Sequence, residues 1–351
     1  MSPTSAHQLD NPQTYVRLDP DSMGPLIAAL GDQVREAWAT GRDWPLPASF
    51  TTPSRVVVVG MGGSAIGADI ASTLARISSP IPVEVVHNYT VPPAATGTLV
   101  IASSVSGNTE ETLAAYEVAR AGPGRHLAIT TGGELAKLDG PCLTYEWGFH
   151  PRAALGWALM PLASVLTQLG VLSIADAEVQ ATAAALDANS TAWAINVPAE
   201  ENRAKQIALR LHGRLPVIVG TDFLEVAARR WAGQLQENAK QWAFSAALPE
   251  MNHNFINGLG LPSPGIEQLQ VEFLDAPELH ARNRQRVVLT GQLLDEAGIA
   301  NEVISTEATN PLETILRAAH LGGWVSFYLA MLNEVDPSDT SPIETFKERM
   351  G

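Results

Sequence analysis

Short apolar runs alternate along this chain with segments long enough to form helices. Before residue 150 the runs are Arg55–Val59, Pro82–Val86, Thr98–Ser103, His126–Thr131 and Cys142–Glu146. Runs that are apolar throughout, separated by helical segments, are typical of parallel strands buried under helices on both faces. The first part of the chain is therefore predicted to be a doubly wound α/β domain.

The same alternation resumes in the second part of the chain. Its predicted strands are Leu215–Val219, Gln268–Leu274, Arg286–Leu289 and Glu302–Ser305, followed by a helix over Pro311–Leu332 and a short C-terminal tail. A leading helix over Ser22–Thr40 and helices over about Ala153–Gln168 and Ala175–Ala194 come before the turn-like Asn196-Val-Pro198. We therefore predict two α/β domains with doubly wound parallel sheets, residues 1–195 and 196–351, as in an old duplication.

Charge and cysteine content limit the possible partners and compartment. The formal net charge of −15 would repel a polyanion, and no stripe of Lys and Arg offsets it, so nucleic acid is not expected as a partner. The single cysteine, Cys142, cannot form an internal disulfide, and Met1–Arg35 lacks the pattern of a secretory signal. The apolar runs are interrupted before the roughly 20 residues that a membrane span needs. A cytoplasmic protein without a membrane partner is expected.

The run Val56–Val59 leads directly into a glycine turn, Gly60-Met-Gly62-Gly63-Ser64-Ala65. Glycines let the backbone approach a ligand closely, and a following helix presents free N–H groups to an anion. Two other interpretations remain open: a glycine turn that only packs a helix on the sheet, and a weak dinucleotide fingerprint. The fingerprint needs an acidic residue at the end of the next strand, where the chain has His87-Asn88.

A second turn, Ser103–Thr112, also lies between an apolar run and a helix. Its sequence, SSVSGNTEET, places the hydroxyls of Ser104, Ser106 and Thr109 around Gly107. Such a cluster is often only a helix N-cap. Hydroxyls together with the backbone donors of a helix can also cradle an oxyanion, and the density of hydroxyls favours this ligand-binding interpretation.

The paired strings GMGGSAIG and SSVSGNTEET resemble the sugar-isomerase (SIS) domain family. The resemblance implies two flavodoxin-like SIS domains and a Ser/Thr turn that binds the phosphate of a sugar. It also places Gly62, Gly63 and Ser64 within reach of the bound substrate. No cofactor is implied.

Further segments resemble the bifunctional phosphoglucose/phosphomannose isomerases. They are PRAALG from Pro151, QENAK from Gln236, PEMNHN from Pro249 and the C-terminal stretch from Val325 to Lys347. The resemblance implies a homodimer that interconverts aldose and ketose hexose 6-phosphates. The reaction moves a proton between C2 and C1 through an enediol, which requires a base.

The resemblance assigns roles to several polar residues. Glu237 falls on the family's catalytic base, although from sequence alone it could be a solvated glutamate paired with Lys240. His253, in a predicted polar loop, would assist ring opening from the neighbouring subunit, or otherwise anchor that loop. Its ordinary pKa near 6.5 suits proton transfer near neutrality.

Three more positions receive roles in the same way. Lys347, otherwise a frayed terminal charge, would act on the ring oxygen and O1. Arg152 would stabilise the negative charge of the enediol, and Thr340 would allow both C2 epimers. No cluster of His, Cys and carboxylates has the spacing of metal ligands, so a metal-free mechanism is expected. The alternatives are a non-catalytic phosphosugar-binding protein, an SIS isomerase for a different sugar phosphate, and a dehydrogenase.

Overall fold

The computed structural model describes residues 3–351. The strands are β1 Arg55–Val59, β2 Val83–Val86, β3 Thr98–Ser104, β4 Arg125–Thr130, β5 Cys142–Thr144, β6 Leu215–Thr221, β7 Phe244–Leu248, β8 Leu269–Asp275 and β9 Ala300–Ser305. The helices are α1 Pro3–Asp10, α2 Pro12–Leu18, α3 Met23–Ala28, α4 Leu30–Asp43, α5 Gly62–Ser78, α6 Glu110–Arg120, α7 Leu155–Gln168, α8 Asp176–Ala192, α9 Arg203–Leu211, α10 Glu225–Glu237, α11 Met251–Asn254, α12 Ala281–Glu296, α13 Pro311–Leu332 and α14 Ser341–Met350.

The chain forms two compact units, which differ from the predicted division at residues 195 and 196. One unit comprises residues 29–187, and the other comprises residues 188–351 together with the N-terminal residues up to 28. The N-terminal helices belong to the second unit because they pack on α13: the rings of Tyr15 and Phe327 stack at 5.8 Å, and Gln8 Nε2 donates to Met331 O. The predicted leading helix is accordingly divided into α3 and α4.

The unit of residues 29–187 is built on a five-stranded parallel sheet with the order β2-β1-β3-β4-β5. This is the flavodoxin-like order. Val57, Val59 and Val100 point to one face and share a core with Ala115 and Tyr116 of α6, whereas α5 packs on the sheet and on α7. Every residue of β3 is buried, as expected for a central strand with helices on both sides. The prediction of a doubly wound α/β domain is confirmed.

The other unit contains a four-stranded parallel sheet with the order β7-β6-β8-β9. The predicted strand over Arg286–Leu289 is wrong, because this run lies inside α12, which buries Val287, Thr290 and Leu294 at helical spacing. Strand β7 was not predicted, since its sequence, FSAAL, is short and poor in β-branched residues. The C-terminal tail carries the additional helix α14.

Helix α13 is the central helix of its unit and has the bounds predicted from the sequence. It packs against α1, α3, α9 and α10. Among the described residues it is the one helix long and apolar enough to cross a membrane, and 94% of its apolar stretch is buried inside the protein. Its apolar surface is thus occupied by intramolecular packing.

Candidate active site

The glycine turn and the Ser/Thr turn follow two neighbouring strands, β1 and β3. The strand order reverses between these strands, because β2 lies beyond β1 on one side and β4 beyond β3 on the other. In open α/β sheets, ligands bind at this switch point, outside the carboxyl ends of the strands. The two motifs singled out in the sequence therefore flank the expected ligand crevice of this unit.

The glycine turn is held close to the end of β3. Helix α5 begins at Gly62, whose φ is +53°. A Cβ on Gly60 would lie 2.8 Å from Ser103 O, so glycine is required for the close approach of the two segments. Ser64 is buried, and its Oγ accepts a hydrogen bond of 2.9 Å from Val105 N. The side chain of Ser64 thus joins the glycine turn to the Ser/Thr turn.

The Ser/Thr turn is closed by its own hydroxyls. Ser104 Oγ accepts from Gly107 N at 3.1 Å and lies 3.0 Å from Thr109 Oγ1. Ser106 is exposed, and its Oγ accepts from Asn108 N at 3.2 Å. Gly107 has a φ of +67°, and a Cβ there would lie 1.9 Å from Gly132 O. The turn is consequently held by bonds among its own residues, and Ser106 is exposed to solvent.

The first turn of α6 bears on both interpretations of the Ser/Thr cluster, as a helix cap and as a ligand-binding turn. Thr109 is the N-cap residue of α6, but within the described part of the chain its hydroxyl makes no bond to the helix backbone and instead contacts Ser104. The first N–H groups of α6 lack partners inside the helix itself. Thr109 therefore occupies the N-cap position without a side-chain capping bond, and the first N–H groups at this end of the helix can bind an anion.

Arg152 lies beside the glycine turn. It occupies a 3-10 turn, Pro151–Ala153, and is buried. A Cβ on Gly63 would lie 3.0 Å from Pro151 O and 3.3 Å from Arg152 Cα, so this backbone rests directly on the glycine turn. The structure thus brings Arg152 together with the predicted phosphate-binding residues of its unit.

Glu237 is the last residue of α10 and is half-buried. Lys240, at a φ of +54°, donates through Nζ to the backbone oxygen of Glu237 at 2.7 Å and to that of Pro337 at 3.4 Å. The ammonium group therefore terminates the helix and ties it to the segment before α14. Asp339 of that segment and Pro342 of α14 line a cavity of about 510 Å³ with Trp242.

The remaining predicted site residues lie in the same unit as Glu237. His253 is exposed on the short helix α11, so the prediction of a polar loop was wrong in its local structure. Lys347 lies on α14, where every residue is exposed. Thr340 precedes α14, and its Oγ1 donates to Glu344 Oε1 at 2.9 Å. Lys347 is thus on a regular helix rather than on a frayed terminus.

The structure also identifies residues that the sequence analysis missed. Thr131 donates through Oγ1 to Val105 O at 2.7 Å, and Asn108 Oδ1 accepts from Glu134 N at 2.9 Å, so both side chains hold the Ser/Thr turn. Gln33 of α4 bonds to the turn that carries Arg152. The sequence did contain a signal for Gln33: its amide lies on a face of α4 that is otherwise apolar, with Leu30, Val34 and Ala37.

Two further observations concern the residues that a dinucleotide site or a metal site would use. At the position where a dinucleotide site needs an acidic residue, His87 bonds through Nε2 to Asp69 at 3.1 Å, and Glu84 pairs with Arg55 at the start of β1. Among residues 3–351, no group of three or more His, Cys, Asp or Glu side chains is arranged to hold a metal ion.

Comparison with known proteins agrees with this fold. Residues 200–350 match the family model described as the bacterial phospho-glucose isomerase C-terminal SIS domain. The C-terminal domain of glucosamine-fructose-6-phosphate aminotransferase from Francisella tularensis superposes with a TM-score of 0.71, at 14% identity, over 90% of this chain and 97% of that one. The two parallel sheets and the family match define an SIS-domain protein.

Full-length relatives define the family more narrowly. The bifunctional phosphoglucose/phosphomannose isomerase of Caldicellulosiruptor bescii is 35% identical over 327 residues, which cover 92% of this chain and 96% of that protein. The enzyme of the same name from Aquifex aeolicus is 35% identical over 326 residues, 91% of this chain and 97% of that protein. The chain belongs to this family of isomerases, as the sequence motifs predicted.

Proposed function

We propose that this protein interconverts glucose 6-phosphate and mannose 6-phosphate with fructose 6-phosphate. The observation that carries the proposal is the hydroxyl-lined turn before α6, where Thr109 bonds to Ser104 instead of capping the helix. A phosphate bound there would accept hydrogen bonds from hydroxyls and from free backbone N–H groups. Membership in a family of phosphosugar isomerases supports the choice of substrate.

The phosphate group is assigned to the two joined turns. The residues proposed to bind substrate there are Gly62, Gly63, Ser64, Ser104, Ser106 and Thr109. This set provides hydroxyls and backbone donors without a fixed cation. A net charge of −15 for the whole chain makes such local donors necessary for any anionic ligand.

Glu237 is proposed as the base. Its carboxylate takes the proton from C2 of the open-chain aldose while the C1 carbonyl oxygen gains a proton, which gives the enediol. The proton on O2 then leaves, and Glu237 returns its proton to C1, so that a C2 ketone forms. Arg152 would stabilise the negative charge that develops on the enediol oxygens, because a guanidinium remains charged throughout the reaction.

Three further residues are proposed to complete the reaction. His253 opens the sugar ring from the neighbouring subunit of a homodimer, a role that its exposed position permits. Lys347 acts on the ring oxygen and on O1, and Thr340 permits both configurations at C2. The proposed enzyme works in the cytoplasm without a metal, and its partners are the sugar phosphate and a second copy, with neither nucleic acid nor membrane involved.

The test is to incubate the purified protein with fructose 6-phosphate, with and without EDTA, and to measure glucose 6-phosphate and mannose 6-phosphate separately. Glu237→Gln removes the base but keeps the shape of the side chain. Glu225→Gln is the matched control, because Glu225 is an exposed glutamate at the other end of the same helix.

We expect both aldoses to form regardless of EDTA, with turnover lost in Glu237→Gln and retained in Glu225→Gln. Formation of one aldose alone would show that the enzyme makes only one of the two configurations at C2. Absence of turnover, with fructose 6-phosphate still raising the melting temperature, would contradict the proposal and favour a phosphosugar-binding protein or an isomerase for another sugar phosphate.

A further inference from the structure

We propose that Gln33 is a positioning residue for Arg152, an inference that rests on the isomerase function proposed above. Gln33 lies in α4 and is 3% exposed. It is more than a hundred positions away from Arg152 in the sequence and belongs to none of the motifs that identify the family. Its connection with the reaction is visible only in the folded unit.

The carboxamide of Gln33 bonds on both sides of one short segment. Its Nε2 donates to Ala153 O at 2.9 Å, and its Oε1 accepts from Gly156 N at 3.2 Å. Ala153 immediately follows Arg152, and Gly156 lies in the first turn of α7. One side chain therefore supplies both the donor and the acceptor that the segment between the 3-10 turn and the helix needs.

The start of α7 has no capping side chain at its own N-cap position. The N-cap residue of α7 is Ala154, whose methyl group cannot accept a hydrogen bond from the first helical N–H groups. Gly156 also packs closely on α4: a Cβ there would lie 2.5 Å from Gln33 Cβ. Gln33 consequently acts as an external cap for α7 and fixes the distance between α4 and the start of that helix.

The turn that carries Arg152 is held from two directions. On one side Pro151 and Arg152 rest on Gly63, and on the other side Gln33 holds Ala153 and Gly156. Removal of the carboxamide would leave two buried backbone groups without their present partners, and the turn would shift to recover hydrogen bonds. A shift of about 1 Å in a charge-stabilising group can lower the rate of a reaction on the order of a hundredfold.

The test compares Gln33→Leu with a matched control on the same pair of helices. Gln168, an exposed residue at the end of α7, donates through Nε2 to Gly41 O of α4 at 2.9 Å, so Gln168→Leu removes one bond between the same two helices at the end of α7 that is remote from Arg152. For fructose 6-phosphate we expect Gln33→Leu to lower kcat about tenfold or more with little change in KM. Gln168→Leu should lower the melting temperature and leave kcat close to that of the wild type.

A second variant covers the case in which Gln33→Leu does not fold. In Gln33→Glu one oxygen can still accept from Gly156 N, while the other donates to Ala153 O only when the carboxyl is protonated. Burial favours the protonated form. The ratio of the variant's kcat to the wild-type kcat should therefore be higher at about pH 6 than at about pH 8. A merely structural role predicts a ratio that does not change with pH.

The possible results separate the two proposals. A wild type that turns over neither aldose overturns the isomerase function, and the role of Gln33 falls with it. An active wild type whose Gln33→Leu and Gln168→Leu variants have equal kcat values overturns the positioning role alone. If Gln33→Leu is unfolded, a pH-independent kcat ratio for Gln33→Glu has the same consequence.

Discussion

The Oγ of Ser64 accepts a hydrogen bond of 2.9 Å from the backbone N–H of Val105. Because Ser64 lies in the first turn of α5 and Val105 belongs to the Ser/Thr turn, this bond links both segments proposed to hold the phosphate. Ser64→Ala leaves a buried N–H without its acceptor, which costs about 1–3 kcal/mol of stability. We expect KM for fructose 6-phosphate to rise about tenfold, as for a loss of about 1.4 kcal/mol of binding.

Ser72→Ala is the control for this prediction. Ser72 lies on the same helix, and its hydroxyl donates to Val83 O at 2.6 Å, away from the Ser/Thr turn. Steady-state kinetics and thermal melts on both variants should give lower stability in each and a raised KM only in Ser64→Ala. An equal KM in the two variants would refute a role for Ser64 in holding the phosphate.

Gly107 and Gly62 offer a second matched pair. Both have positive φ, but a Cβ on Gly107 would lie 1.9 Å from Gly132 O, whereas no described atom is within 4 Å of a Cβ on Gly62. Gly62→Ala should lower the free energy of unfolding by about 1–2 kcal/mol, which is the cost of placing an alanine in the left-handed conformation. Gly107→Ala adds a backbone clash and should cost more than about 3 kcal/mol. Urea unfolding of both variants checks this, and equal losses would contradict it.

His126 is expected to make stability depend on pH. Burial and the nearby Arg120 guanidinium lower the pKa of His126 below its usual 6.5. As the pH falls, His126 therefore takes up a proton near pH 6.5 in the unfolded chain but only at a lower pH in the folded chain. The free energy of unfolding consequently falls as the pH falls through this window. His126→Phe should show a smaller drop in melting temperature than the wild type between about pH 7.5 and about pH 5.5.

Arg120→Gln tests the cause of this pH dependence. Removal of the guanidinium charge takes away one of the two effects that lower the pKa of His126, so the variant should lie between the wild type and His126→Phe. Identical pH profiles for all three proteins would show that other groups control acid stability in this range.

Lys205 is a fully buried cation in the unit of residues 188–351 and the N-terminal helices. Its Nζ donates to Asp10 Oδ1 at 3.0 Å, Ile195 O at 2.9 Å and Val197 O at 2.8 Å. Lys205→Met leaves these three acceptors without their donor and should lower the free energy of unfolding by about 3 kcal/mol. Asp10→Asn should lower the free energy of unfolding by less, because the side chain of Asp10 is 38% exposed and the amide oxygen of the asparagine can still accept from Lys205. Chemical unfolding of both variants tests this order.

Local sequence patterns were sufficient for most elements of the fold. Strands β1 and β3 and helix α13 were predicted with nearly their observed bounds, because a fully apolar strand and a long apolar helix are specified by their own residues. The same reasoning failed at Arg286–Leu289. The run Arg-Val-Val-Leu has strand propensity, but three buried positions at helical spacing within α12 outweigh it.

The sequence by itself determined the class of fold, the glycine turn after β1, the Ser/Thr turn after β3 and the family, because glycine, hydroxyl and apolar residues specify these features over a few neighbouring positions. Only the tertiary structure decided that α1, α2 and α3 pack with α13, that Thr109 bonds to Ser104 instead of capping α6, and that Gln33 holds the Arg152 turn. These features depend on contacts whose partners are chosen by packing. A sequence pattern records which groups are present, whereas the fold determines which of them meet.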